Sequence, residues 1–420
     1  MPSVIPEISS YSGEIEVEDI GKSVNTITRS TKFTLLKRIL FSKQKGICPT
    51  CGRIMTATDI ANREVETHHL VPRSLGGNEK LSNLQLLHKI CHKLIHSVLS
   101  RKDMKKWKPI NLNQVTTYPI RERVNKVSIR DFATPPSQTG GLQEFLSSLP
   151  NILKAPDFLE LVDRIVTAHQ RNKPVIVMMG GHVVKCGLSP ILIDLMQRGI
   201  ITALALNGGC SIHDFELALI GETSEDVGEY LQTGKFGMVE ETGRLMNEAI
   251  REAADVGMGM GEGLGQKLIQ INASHGDYSL LAAGVRLGLP VTVHVAIGTD
   301  IIHQHPSADG GAIGETSFTD FRLLAAVVAE LGDGGVVLNF GSAVILPEVF
   351  LKALTIARNL GNRVTHFTTA NFDMIQQYRP LENVVKRPTS QSGQGYMFIG
   401  HHEIMIPLLA NAICCRLEQG

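Results

Sequence analysis

Between Cys48 and His96 the chain concentrates nitrogen and sulfur donors beyond what packing needs. They fall in three clusters: Cys48-Pro-Thr-Cys51, Glu66-Thr-His68-His69, and His88-Lys-Ile-Cys91-His92-Lys-Leu-Ile-His96. Cys48 and Cys51 are spaced to grip one ion from a tight turn, and His88 with Cys91 repeats the same gap. Together they supply the donor set of a closed tetrahedral zinc site, whose role is structural. His92 and His96 stand one helical turn apart on a segment that reads as a helix over residues 83–99, so their rings share a face. With His68 they can hold a second ion in an open site, leaving positions for water and a phosphate.

The stretch His68-His69-Leu-Val-Pro72-Arg73-Ser-Leu-Gly76-Gly77, followed by Asn83-Leu84 and His88-x-x-Cys91-His92-x-x-x-His96, resembles the HNH endonuclease family in the form found in group II intron-encoded proteins. The resemblance implies a ββα-metal unit. It makes His69 the general base that activates water and Asn83 the residue that orients the base-bearing segment. It gives His68, His92 and His96 the catalytic ion, Mg2+ or another divalent. The commoner pattern of the family has an acid before the base and a cysteine where His88 stands. Phosphodiester hydrolysis needs a base of near-neutral pKa and a cation to neutralise charge on the phosphate, which imidazole and a divalent ion supply. The alternative is a zinc-stapled module that only binds nucleic acid.

A chain of 420 residues suits two domains, and 43% hydrophobic with 20% charged residues suits an ordinary soluble protein. No apolar run reaches membrane-spanning length and the amino terminus carries no signal pattern, so no membrane partner and a cytoplasmic location are expected. The zero net charge hides an asymmetry. Residues 1–114 hold 18 Lys or Arg against 10 Asp or Glu, a balance of +8, while residues 115–420 hold 23 against 31, a balance of −8. A basic front section suits nucleic acid, DNA in the first instance, and its densest cluster, Arg101 to Lys108, includes the lone Trp107. Seven cysteines without a disulfide framework fit a reducing compartment.

Read in order, residues 1–20 form a mobile acidic arm, 21–114 the metal-bearing domain with its linker, and 115–420 a second domain. An amphipathic helix is expected over residues 31–45, bracing the zinc turn. The second domain opens with amphipathic helices at 142–149 and 158–171. It then alternates helical segments with short apolar runs at 175–179, 201–206, 291–296, 336–340 and 364–368. The predicted fold class is a small ββα-metal zinc module plus a larger α/β, doubly wound, Rossmann-like parallel-sheet domain. Ligands in such sheets bind beyond the carboxyl ends of the strands. Those ends here read Gly180-Gly181-His182, Asn207-Gly208-Gly209, Gly298-Thr299-Asp300, Gly341-Ser342 and Thr369-Ala370-Asn371-Phe372-Asp373.

These loops, with Gly187-Leu-Ser189-Pro190 and the closing segment from Phe398 to Pro407, resemble the deoxyhypusine synthase family, which implies an NAD-binding fold and a homo-oligomer, a tetramer in that family. The candidate NAD-binding residues are Gly181, Ser189, Asn207, Gly208, Gly209, Asp300, Gly341, Asn371 and Asp373. Those enzymes carry their intermediate on a lysine of a Trp-Gly-Lys motif. The corresponding region here, Ser390 to Tyr396, has none, which removes the basis for Schiff-base transfer. The Gly-Met stretch at 256–265 reads as a flexible helix start in preference to a mobile lid, and His303, His305 and Asp309 as a polar loop near the crevice in preference to a metal site. The expected protein is a nuclease fused to an NAD- or nucleotide-binding domain that assembles or gates it, with a defence role by analogy. The alternatives are a transferase or NAD-consuming enzyme tethered to nucleic acid by the zinc module, and a scaffold of two binding modules.

Overall fold

The computed structural model describes residues 35–103, 109–135, 137 and 140–419. The acidic arm, the first residues of the expected amino-terminal helix and the sequence from Met104 to Lys108, Trp107 included, lie outside the described residues. The chain divides between Arg123 and Val124 into two compact units.

In the first unit, helix α1 (Leu35–Lys43) buries Leu40 and Phe41 against Met55, Ile60, Val65, Leu84, Leu86 and Leu87. The Gln44 side-chain amide then clamps one backbone position of the sheet, donating to Leu86 O at 2.9 Å and accepting from Leu86 N at 2.6 Å. A knuckle follows, in which Cys48 N donates to Arg53 O and Gly52 N to Cys48 O, both at 2.9 Å. Gly52 sits at φ +71°, which is why glycine follows the second cysteine. After the short helix α2 (Ala57–Ala61), strands β1 (Val65–His69) and β2 (Leu84–His88) pair antiparallel, with Val65 opposite His88 and His69 opposite Leu84. Helix α3 (Lys89–Asp103) completes the unit. The expected helix over 83–99 is therefore corrected: its first part is β2, because Leu84, Leu86 and Leu87 are needed to close the core over β1. The one-turn spacing of His92 and His96 survives, since both lie on α3.

The second unit holds a six-stranded sheet in the order β5-β4-β3-β6-β7-β8, where the strands are β3 (Val175–Met179), β4 (Ala203–Asn207), β5 (Val291–His294), β6 (Val336–Phe340), β7 (Phe367–Asp373) and β8 (Gly393–Ile399). Every pairing is parallel. Counted within the unit the order is 3-2-1-4-5-6, which is doubly wound, with the chain reversing direction across the sheet between β3 and β6. Alternate residues feed opposite layers: Val175, Val177 and Met179 enter one core, Ile176 and Met178 the other. This is why these strands read as unbroken apolar runs.

Three expectations for this unit are corrected. The run at 364–368 is displaced, and β7 extends to Asp373, so Asn371 lies inside the strand and not in a loop beyond it. Strand β8 was not expected, because an edge strand needs apolar residues only on its covered side and its first residues, Gly393-Gln394-Gly395, carry no strand signal. The Gly-Met stretch does begin a helix (Met260–Gln270), but a close-packed one. A Cβ on Gly261 would stand 1.8 Å from Val291 O, and one on Gly265 would stand 2.5 Å from Leu281 O. Among the described residues no helix is long and apolar enough to cross a membrane.

Candidate active site

The knuckle brings Cys48 and Cys51 up to the end of β2 and the first turn of α3, where His88 and Cys91 face them. The four donor atoms lie within 4.8 Å of one another. His88 places Nδ1 at 3.4 Å from Cys51 Sγ and Nε2 at 3.6 Å from Asp59 Oδ2. Asp59 is in turn fixed by a capping box with Thr56 at the start of α2. A carboxylate behind a ligating imidazole selects its tautomer and orientation. Burial raises the Cys51 thiol, yet hydrogen bonds from the Arg53 backbone and side chain, then from Cys91 and His88, outweigh it and bring the thiol down to about 6. Burial and the neighbouring sulfurs push Cys91 up to about 12, an effect a coordinated cation would reverse. Three sulfurs and one imidazole at this separation fit Zn2+.

A second cluster lies where β1 meets α3. His68, His92 and His96 also hold their ligand atoms within 4.8 Å of one another, and their ring centroids are 5.1, 5.2 and 4.5 Å apart. His92 Nε2 is 3.0 Å from His96 Nε2, while His92 Nδ1 is 2.6 Å from Glu66 Oε2. The buried Nδ1 of His68 has no hydrogen-bond partner. Burial, followed by the charges of His92, His96 and His69, holds His68 below the usual histidine range, which favours the neutral form that binds metal. Glu66 was not singled out from the sequence. The signal was available, since residues 66 and 68 of a strand point to the same face.

His69, next to His68 on β1 and near enough for its charge to act on that ring, places Nε2 3.0 Å from Glu79 Oε1, and Glu79 also pairs with Arg73. Asn83 closes the loop between the two strands. Its Oδ1 accepts from Val71 N at 2.8 Å, and its Nδ2 donates to Val71 O at 3.1 Å and to Asn78 O at 2.8 Å. His69 stands opposite Leu84, the residue after Asn83, so the two lie at the same end of the strand pair.

In the second unit the strand ends form two patches. In one, Asn207 caps the helix Gly208–Ile220 by accepting from Cys210 N at 2.8 Å. A Cβ on Gly208 would meet Asp300 Oδ2 at 1.9 Å, and one on Gly181 would meet His213 at 2.8 Å and Gly209 O at 3.2 Å. Asp300 Oδ2 and His303 Nε2, 3.9 Å apart, are both buried without partners, and burial raises the Asp300 carboxyl to about 6. In the other patch, Gly341 at φ +67° backs onto His402, whose buried Nδ1 has no partner. Asp373 ends β7 here, close enough for its charge to act on His402. Ser189 opens the helix Ser189–Gln197 with its hydroxyl buried and unpartnered. Asn371 is elsewhere: its Oδ1 accepts from Asn339 Nδ2 at 2.6 Å within the sheet, and its Nδ2 faces Met397 Sδ. His305 packs against Gly243, and Asp309 caps the helix Gly310–Ala329, so that loop serves the fold.

Residues 48–97 match the family model described as HNH endonuclease. Over 82 residues the chain is 28% identical to the type IV methyl-directed restriction enzyme EcoKMcrA of Escherichia coli K12, a stretch that is 19% of this chain and 30% of that enzyme. Solved structures similar to this chain include a LOR/SDH protein from Methanococcus maripaludis S2 (TM-score 0.42, 14% identity, 64% of this chain and 71% of that one). AgrE in complex with ornithine and NAD+ is also similar (TM-score 0.41, 13% identity, 63% and 34%). So is a deoxyhypusine synthase from Entamoeba histolytica (TM-score 0.40, 9% identity, 66% and 93%).

Proposed function

We propose that this chain, whose residues 48–97 are an HNH endonuclease domain, hydrolyses phosphodiester bonds in DNA. The observation that carries this reading is the presence of a closed Cys3His site together with a three-histidine cluster whose His68 is the neighbour of His69 on β1. A mere staple has no use for the second set of donors. In the proposed mechanism His69 takes the proton from the attacking water while Asn83 holds the loop that presents it. His68, His92 and His96 hold the ion, which when bound neutralises charge on the phosphate and the leaving oxygen. The all-imidazole donor set suits a first-row transition ion such as Zn2+, Ni2+ or Co2+ better than Mg2+, which prefers oxygen. The Cys48, Cys51, His88 and Cys91 site holds zinc and keeps the small unit folded. DNA as substrate and a defence role are supported by the restriction-enzyme relative.

For the second unit the reading is binding of NAD or a related nucleotide at the strand ends, in a homo-oligomer, a tetramer by the sequence resemblance, that presents several nuclease domains together. The reversal of strand order between β3 and β6 and the unpartnered buried atoms of Asp300, His303 and His402 support a polar ligand there. Asn371 does not belong to the ligand set, because its Oδ1 accepts from Asn339 Nδ2 and its Nδ2 donates to Met397 Sδ. The transferase alternative is not favoured: the region from Ser390 to Tyr396, which lacks the required lysine, leads into the edge strand β8.

The test is plasmid cleavage by chelator-treated protein reloaded with one equivalent of zinc, for the thiolate site, and then supplied singly with further Zn2+, Ni2+, Co2+, Mn2+ or Mg2+. Cleavage that needs an added ion and is lost in His92→Ala supports the reading, and no cleavage with any ion refutes it. Calorimetry with NAD and light scattering test the second unit, where a monomer without NAD binding at millimolar ligand refutes both parts.

A further inference from the structure

We infer that Glu79 is a positioning residue for His69, holding one ring nitrogen so that the other is presented to the attacking water. The inference rests on the nuclease reading. Glu79 Oε1 lies 3.0 Å from His69 Nε2, and among the described residues it is the one hydrogen-bond partner of that ring. The His69 side chain is 23% exposed, so packing alone does not lock it. Arg73 pairs with the same carboxylate oxygen. The result is a three-member line, Arg73, Glu79 and His69, in which a base is oriented by a charged group that is itself held.

The loop is built to deliver this contact. Asn83 ties Val71 and Asn78 together through three hydrogen bonds. Gly77 approaches so closely that a Cβ there would stand 1.8 Å from Val71 O. That closure returns the chain over the end of β1 and sets Glu79, ten residues beyond His69, against the ring. Because Asn83 already fastens the loop, the Glu79 carboxylate is not needed to close it. With Nε2–H donated to Glu79, Nδ1 is left with a lone pair that can accept a water proton.

The experiment is a double-mutant cycle in the full-length protein, reloaded with Ni2+ or whichever ion supports wild-type cleavage, by single-turnover cleavage of a duplex, with DNA affinity measured while that ion is withheld. Glu79→Ala is expected to lower the cleavage rate about 10–100-fold without changing affinity. Glu79→Gln, which keeps an oxygen acceptor, should recover most of the loss, and Glu79→Ala should cost nothing further in a His69→Ala background. An equal loss in both backgrounds, or a loss confined to affinity, overturns the inference. A second readout does not depend on cleavage: ring nitrogens in 15N-histidine protein, with His69 assigned by its absence from His69→Ala. Wild type should report the Nε2-protonated tautomer, and Glu79→Ala should return it to a mixture. An unchanged tautomer refutes the positioning role even if the nuclease reading stands, and an inactive wild type with the tautomer shift intact refutes only the nuclease reading.

Discussion

Nδ1 of His92 stands 2.6 Å from Oε2 of Glu66, a residue two positions before His68 on β1. The contact fixes a proton on Nδ1 and turns Nε2 toward His68 and His96. Outer carboxylates of this kind are worth about 10–100-fold in metal affinity. Glu66→Ala should therefore weaken the transition-ion site by that factor, measured by calorimetry, while leaving zinc content at the cysteine site unchanged. Unaltered affinity would mean that packing alone orients His92.

At the closed site the four ligands come from two segments, so the ion joins the knuckle to the β2–α3 junction. Cys91→Ser should lower zinc content from one tightly held ion per chain and melt the first unit, with the second unit unaffected. Metal analysis alongside calorimetric unfolding checks this. A variant that loses zinc and keeps its first transition would show the core of Leu40, Phe41 and Leu86 to be sufficient alone.

Removing the proposed base has a separate signature. His69→Ala should slow cleavage by about 10²–10⁴ while nucleic-acid affinity and both metal contents hold. A wild-type rate in this variant would exclude His69 as the base and leave water activation to the ion.

Burial raises the Asp300 carboxyl from 3.8 to about 6. The folded chain then binds this proton more tightly than the unfolded one. The stabilisation is full below 3.8 and lost as pH rises through about 6. Asp300→Asn removes the titration, so its melting temperature relative to wild type should climb between roughly pH 4 and pH 7. A constant difference across that range would refute a raised carboxyl.

The candidate metal ligands were legible because chelation is local. A two-residue gap between cysteines, or one helical turn between histidines, encodes the approach of donors whatever surrounds them. The alternating layers of the large sheet were legible for a similar reason, since strands buried on both faces must be apolar throughout. What depends on a distant neighbour was not. The run after Asn83 carries helix and strand patterns alike, and only pairing with β1 made its first half a strand. Asn371 reads as a loop residue in the sequence, but β7 continues between β6 and β8, where Asn339 Nδ2 donates to its Oδ1. Asp59, Glu66 and Glu79 acquire their meaning from histidines 29, 26 and 10 positions away. Composition and spacing therefore determine which atoms can do chemistry. Which carboxylate orients each of them is decided by chain closure, because a hydrogen bond needs a partner within about 3 Å and sequence distance says nothing about that.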